Sequence, residues 1–454
     1  MAAIAPLIQR VFADRLRLVL WVGILLRVLV YAFLHYSNPD QHYLIVDYIH
    51  RTGRIPLSRE FNQSFHPPLY YLLASLFLAF GSFKVVQLFS LLISVLTIGL
   101  GYGFIRRSPV FEHKALVFAF FCLLPEFVTF SLYVSNDTLS FLVGVAVIVQ
   151  VQRFIQEPNR RNECGLAAIV GVGLLTKGTF LLFVLPILAL IAWVQYRRCQ
   201  RQQRAMRTVV AVGLALLIIT GVGGFKFVQN TVYEGRSVIH NLDYNPTWAE
   251  SQRPTYLGFT ESVLDFNLLR LIRNPTLEEV VPGTHGARRQ GQPTAKHSYG
   301  LMLYATFYYS WITESNFVSW KTNLRYWGSA IYLFALVPTA LMLAGAWRLR
   351  RHVRDVLTGT DDGTGLFRVM AATFFVLNLA AVVYLGAKYD AWSCFQGRLL
   401  FPSLFGALVL LDSGIQVVSS RAIFRRGVAV ALVTLDGLFL SYLLMEVACI
   451  AWRR

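Results

Sequence analysis

Seven polar side chains stand at the edges of apolar runs: Asp40, His42, His66, Asp137, Lys177, Gln396 and Arg398. Charged groups near membrane depth are expensive, so they usually line a cavity or pair with one another. Asp40 lies in Asn38-Pro39-Asp40-Gln41-His42-Tyr43, just past the first apolar run. A carboxylate there meets both solvent and the edge of a lipid-facing cavity, and could take a proton from an acceptor hydroxyl. An Asp after a Pro also often begins a helix, so Asp40 is equally a candidate N-cap. In Phe65-His66-Pro67-Pro68-Leu69-Tyr70-Tyr71 two prolines fix how an aromatic-rich segment enters the interface. Tyr43, Tyr70 and Tyr71 read there as interface aromatics or as platforms for a substrate. His42 and His66 could ligate a divalent metal, but 24 positions apart they form no metal motif, and no metal site is assigned.

These groups need elements to hold them, and composition says which kind. Hydrophobic residues make up 56% of the 454 positions and charged residues 15%. Soluble domains carry roughly 25% charge, so a soluble enzyme and a disordered chain are both excluded. The net charge of +18 sits in short basic runs between apolar segments, which is a topology signal. No nucleic-acid motif accompanies it, so no nucleic-acid partner is expected. Five scattered cysteines make neither a disulfide framework nor a zinc site.

At about 20 residues per span, the chain reads as an all-α, polytopic transmembrane bundle of about eleven helices. The expected spans are 18–36, 84–105, 114–134, 138–156, 163–177, 178–196, 208–227, 328–347, 367–387, 399–419 and 427–449. Arg10, Arg15 and Arg17 precede the first run with no cleavage site after it, so that span is expected to be retained. The short segment 67–83 decides the topology. If it lies in the interface or re-enters, the short basic loops share the cytoplasmic side, from Arg106-Arg107 to Arg421 through Arg426, and only Arg453-Arg454 falls outside. The N-terminus is then cytoplasmic, and 37–83, the Ser135-Asn136-Asp137 turn, 228–327 and 388–398 are external.

All seven polar groups consequently share one face. The organisation is a transmembrane module over 1–227 with its first external loop at 37–83, a long external loop over 228–327, and closing helices over 328–454. Within the long loop, Leu301 to Trp320 is expected to lie at the interface as an amphipathic segment. Arg27, mid-span, needs a carbonyl or acidic partner, and Glu126, Asp436 and Glu446 are candidates.

Asp40-x-x-Tyr43, Gly53-Arg54-Ile55-Pro56, the His66-to-Tyr71 string, the Ser135-Asn136-Asp137 turn and Leu175-Thr176-Lys177-Gly178 follow one another in an order that resembles the GT-C glycosyltransferases. The likeness is greatest to the branch of protein O-mannosyltransferases and lipid A aminoarabinose transferases. Gln396-Gly397-Arg398-Leu399-Leu400-Phe401-Pro402 is similar to a string in bacterial relatives of that branch. The resemblance implies a GT-C bundle with interfacial helices in the first external loop and an active site on the external face; with no retention signal visible, the plasma (inner) membrane of a bacterium is expected. Its donor would be a polyprenyl-phosphate-linked sugar, and its acceptor a glycan, lipid or protein held by membrane-proximal loops. Asp40 maps to the catalytic carboxylate of the first loop and would act as general base in an inverting transfer. Family members often have Asp-Glu where this chain has Asp40-Gln41, so the second carboxylate is missing.

Chemistry assigns the remaining roles under that resemblance. Lys177 and Arg398 would stabilise the departing phosphate, although each could instead anchor or snorkel at a span end. Asp137, His66, Tyr43, His42 and Gln396 would face the acceptor, and Asp137 could also cap the following span. No cofactor is assigned. A lipid-linked glycan polymerase or ligase is the first alternative, because 228–327 holds Arg236, Arg253, Arg270, Arg273, Arg288 and Arg289. A transporter or flippase of lipid-linked sugars would call for two related halves with interrupted spans, and no repeat is visible.

Overall fold

The computed structural model describes residues 14–33, 40–198, 201–251, 258–273, 298–309, 325–361, 363–418 and 422–452, and the described residues contain helices and turns without strands. The chain opens with α1 (Arg15–Phe33), α2 (His42–Thr52), α3 (Leu69–Leu78), α4 (Phe83–Arg107), α5 (Lys114–Leu123) and α6 (Pro125–Phe130). There follow α7 (Asn136–Gln156), α8 (Arg160–Thr176), α9 (Leu181–Arg198), α10 (Arg204–Gly223) and α11 (Phe225–Glu234). Three short helices, α12 (Pro246–Ser251), α13 (Phe259–Leu264) and α14 (Leu268–Arg273), lead to α15 (Tyr299–Tyr308). The last four are α16 (Arg325–Thr358), α17 (Thr364–Tyr389), α18 (Leu404–Val418) and α19 (Ala422–Trp452).

Nine of the described helical segments are long and apolar enough to cross a membrane. The two other expected spans are also helical. One is α5 and α6, broken where Pro125 begins a new helix, and the other is α8. The eleven helical segments of the sequence reading are therefore all present, and the chain is a multi-pass membrane protein. Helix α3 has ten residues, about 15 Å at 1.5 Å per residue, half of what a bilayer core requires. It is too short to span, in keeping with the interfacial placement expected for 67–83.

Two expectations are corrected. The stretch from Leu301 is not an interfacial amphipath: in α15, Tyr299, Leu301, Met302, Tyr304, Ala305, Thr306, Phe307 and Tyr308 are all buried. The rest of the Leu301–Trp320 segment, from 310, lies outside the described residues. Tyr70 and Tyr71 are likewise core groups rather than interface aromatics, at 0% and 1% exposed. In both cases aromatic residues next to polar ones mark protein packing instead of lipid contact. Arg27 resolves in favour of carbonyls: its Nη1 donates to the Gly23 and Cys122 carbonyl oxygens and its Nε to Ser94 Oγ at 2.8 Å, joining α1, α4 and α5.

Bundles in lipid gain little from hydrophobicity between helices, so small residues that allow close approach matter most. On α16 and α18 this is reciprocal. A Cβ on Gly345 would stand 1.9 Å from the Leu410 carbonyl oxygen, and one on Gly414 would stand 1.9 Å from that of Leu341. A third contact joins α7 to the site-bearing turn, where a Cβ on Gly144 would lie 2.0 Å from the Pro402 carbonyl oxygen. Gly99, inside α4, has nothing within 4 Å of its Cβ position. Gly414→Ala is accordingly expected to lower stability by roughly 1–3 kcal/mol, seen as a lower unfolding temperature of the detergent-solubilised protein. Gly99→Ala, as the matched control, should leave that temperature unchanged or raise it slightly.

Candidate active site

Four segments end at one place. Asp40 precedes α2, whose cap is not Asp40 but Gln41, held at φ 60°, ψ 22° with no side-chain bond to the helix. That left-handed backbone is unusual for a residue with a side chain. It leaves the Asp40 carboxylate uninvolved in capping, contrary to the N-cap reading. Ser135, not Asp137, caps α7, its hydroxyl accepting from the Asp137 amide. Asn136 Nδ2 donates to the Thr176 carbonyl, which ties the start of α7 to the end of α8. Lys177 sits in extended backbone between α8 and the turn that opens α9, so the two tightly spaced spans break at the lysine. Arg398 lies in a 3-10 turn over Gly397–Ser403 with Gln396 at its start.

The 3-10 turn is fixed from two sides. The Gly397 amide donates to Thr306 Oγ1 on α15 at 2.8 Å, and a Cβ at Gly397 would stand 2.3 Å from the Phe307 backbone. Only glycine fits Gln396-Gly397-Arg398 at that approach. Asn378 on α17 donates to the Leu399 carbonyl at 2.9 Å and to Ser403 Oγ at 3.0 Å.

What converges is an ionic cluster. Arg398 Nη2 donates to Asp40 Oδ2 at 2.8 Å, Nη1 lies 3.5 Å from Asp137 Oδ2, and Nε donates to Gln396 Oε1 at 2.8 Å. Its guanidinium also covers the Phe130 ring at 4.5 Å. Lys177 Nζ donates to Asp137 Oδ1. Two cations face two carboxylates, so the set is neutral as it stands. Side-chain exposure separates the carboxylates: Asp137 is 4% exposed and Asp40 24%, so Asp40 is the one that a solvent-borne hydroxyl can reach.

Beside Asp40, His42 Nε2 stands 4.0 Å from its Oδ2, while His42 Nδ1 is 2.6 Å from the Tyr71 hydroxyl. The His42 ring is nearly parallel to the Tyr71 and His66 rings, at centroid distances of 5.8 and 5.7 Å. Burial lowers His42 to about 4 despite Asp40 and Asp137 nearby, so the ring is neutral. His66 is held well below its ordinary value by burial, with His42 and Lys177 adding to the effect. Tyr43 turns elsewhere, packing edge-on against Phe83 at 5.0 Å.

A second polar group adjoins the first through Phe65, which meets the His66 ring at 4.0 Å and the His240 ring at 5.5 Å. His240 stacks on Tyr389 at 4.8 Å, whose hydroxyl donates to Asp243 Oδ1 at 2.9 Å. Burial lowers His240 to about 4. Burial alone would raise Asp243, but the His240 amide, the Tyr389 hydroxyl and Lys388 outweigh it and lower the carboxyl. The sequence reading missed this group and missed Tyr71 as a partner of His42. It named Glu126 only as a candidate partner of Arg27; this 2%-exposed carboxylate has no hydrogen-bond partner for its oxygens among the described residues. Of the arginines of 228–327, Arg236 pairs with Asp243 in this second group and Arg270 pairs with Asp265, while Arg253, Arg288 and Arg289 lie outside the described residues. Among the described residues no group of three or more His, Cys, Asp or Glu side chains is placed to hold a metal ion.

Residues 65–222 match the family described as dolichyl-phosphate-mannose-protein mannosyltransferase. That stretch includes His66, Asp137 and Lys177 but neither Asp40 nor Arg398. No curated protein matches the sequence significantly. Among solved structures, the chain is similar to ArnT from Cupriavidus metallidurans bound to undecaprenyl phosphate, with 16% identity, coverage of 87% of this chain and 76% of that one, and a TM-score of 0.38. The apo state of ArnT from the same organism gives 14% identity, 91% and 78% coverage, and a TM-score of 0.39. The arabinosyltransferase EmbB from Mycobacterium smegmatis gives 12% identity, 96% of this chain, 41% of that one, and a TM-score of 0.44. The family match covers about a third of the chain, and over that stretch it agrees with the resemblance read from the sequence.

Removing one member of a buried ion pair strands the other, at a cost of about 3–5 kcal/mol. Lys177→Met should therefore lower the unfolding temperature clearly, and Lys177→Met with Asp137→Asn should recover part of the loss. A thermal double-mutant cycle on the detergent-solubilised protein measures both.

Proposed function

We propose that this chain transfers a sugar from a polyprenyl-phosphate donor to an acceptor hydroxyl at the external face of a bacterial plasma membrane, with inversion and with Asp40 as general base. The observation that carries the reading is the Asp40–Arg398–Asp137–Lys177 cluster, drawn from four distant segments to one end of the bundle. The match to a dolichyl-phosphate-mannose family supports the lipid-linked donor. The distribution of basic loops supports the external placement.

In the resting site Arg398 and Lys177 are neutralised by Asp40 and Asp137. A sugar phosphodiester brings one further negative charge and competes with Asp40 for Arg398. Once Arg398 turns to the phosphate, Asp40 is free to accept a proton. The acceptor oxygen then attacks the anomeric carbon while its proton passes to Asp40. The bond between that carbon and the phosphate oxygen breaks, and its electron pair stays on the phosphate. The leaving polyprenyl phosphate gains charge as it departs, and Lys177 and Arg398 stabilise it as the charge develops. Asp137 keeps both cations aimed, and Gln396 holds the Arg398 fork through Nε. A single displacement from the face opposite the phosphate inverts the centre.

Asp40→Asn is expected to lower transfer of radiolabelled sugar by roughly 10²–10⁴-fold in nanodiscs, while polyprenyl phosphate binds at least as tightly as to the wild type. The gain in binding follows from removing the anion that competes for Arg398. A variant that keeps wild-type transfer would move the base to another group. Loss of both binding and transfer would make Asp40 structural.

A further inference from the structure

Tyr71 and His42 together take no part in the transfer as written, yet both are buried beside its base, at 1% and 3% exposed. The Tyr71 hydroxyl has one hydrogen-bond partner among the described residues, His42 Nδ1 at 2.6 Å. A buried hydroxyl proton needs an acceptor, so Tyr71 donates and His42 Nδ1 accepts. A neutral imidazole carries one proton, and with Nδ1 accepting it resides on Nε2. That nitrogen is the one 4.0 Å from Asp40 Oδ2. The bond to Tyr71 at one edge fixes which nitrogen of the ring faces Asp40. Gln41, between Asp40 and His42, holds one of the two left-handed backbones found at described non-glycine residues. Strain of this kind persists where the surroundings over-determine it, and it clusters at functional sites.

We infer that Tyr71 and His42 are positioning residues that take over Asp40 when Arg398 turns to the donor phosphate. This rests on the transferase reading above. Among the described residues, Asp40 Oδ2 accepts one hydrogen bond, from Arg398. On losing it, a shift of about 1 Å brings His42 Nε2–H into hydrogen-bond range. The carboxylate then keeps a fixed direction and its charged form while the acceptor approaches. The groups facing this pair are Asp137 from α7, Lys177 from the α8–α9 break, Arg398 from the 3-10 turn, and His66 and Tyr71 from the Pro67-Pro68 segment. Asp137 remains ion-paired throughout, and His66 and Tyr71 are neutral, so the acid side of the rate profile reports on Asp40 and its donor.

The test uses the full chain in nanodiscs with Tyr71→Phe, His42→Ala, His42→Gln and the Tyr71→Phe/His42→Gln double variant. Tyr71→Phe is expected to lower kcat about tenfold, to move the acid limb of the pH–rate profile to higher pH, and to leave polyprenyl-phosphate affinity unchanged. His42→Ala should do more of the same. His42→Gln, whose amide can donate to Asp40 without Tyr71, should rescue much of the loss, and adding Tyr71→Phe to it should cost nothing further. An unmoved acid limb, or a raised acceptor KM with kcat unchanged, would overturn the inference and make His42 an acceptor-binding residue.

Histidine 15N NMR on the same samples, with His42 identified by its absence in His42→Gln, reads the tautomer without turnover. A proton on Nε2 in the wild type and a mixture in Tyr71→Phe are expected. A wild-type proton on Nδ1 overturns the inference. Absence of transfer from every donor overturns the transferase reading, and the tautomer result then decides the Tyr71–His42 geometry separately.

Discussion

Charge buried in a poorly polarisable interior has to be cancelled locally, and that requirement organises this molecule. Two cations and Asp137 are withdrawn almost fully from water at one end of the bundle, with Asp40 at their edge, and the buried charges are bearable only because the others are present. Asp40 and Arg398, which bond at 2.8 Å, are 358 positions apart in the chain. The breaks and caps nearby make sense as ways of delivering the four groups. Ser135 takes over the capping of α7 and leaves Asp137 for Lys177, and Gln41 takes over the start of α2 and leaves Asp40 for Arg398.

The two cations are not equivalent. Lys177 is a point charge held against a single carboxylate. Arg398 uses its planar fork to reach Asp40, Asp137 and Gln396 at once and lays its face on Phe130. A lysine at 398 could not satisfy those directions together. Arg398 is therefore the hub of the cluster, and Asp40, the most exposed member, is the one whose bond to the hub can most easily be exchanged.

Much of this was readable in the chain because hydropathy measures length. Every expected span is helical in the structure, and the short α3 sits where the basic loops require a segment that does not cross. Asp40, Asp137, Lys177 and Arg398 were legible as polar groups at the ends of apolar runs. Their mutual contacts were not, since neither periodicity nor local motif encodes a partner hundreds of positions away. Hydropathy also cannot distinguish aromatic residues that face lipid from those that face protein, and so α15 and Tyr71 were misplaced at the interface. Tyr71 in particular becomes significant through its hydroxyl, and no sequence signal pairs that hydroxyl with His42. Glu126 was read only as a partner for Arg27, whose bonds go instead to carbonyl oxygens and Ser94.

Gly397 bears against the Phe307 backbone with no room for even a methyl group, and its amide is fastened to Thr306. The contact is rigid in compression and tied in tension. Helix α15 closes the long segment between α11 and α16, and Arg398 is the residue next to that contact. Helix α15 and the arginine are thus geared together: a displacement of α15 reaches the residue that carries the guanidinium with little slack to absorb it.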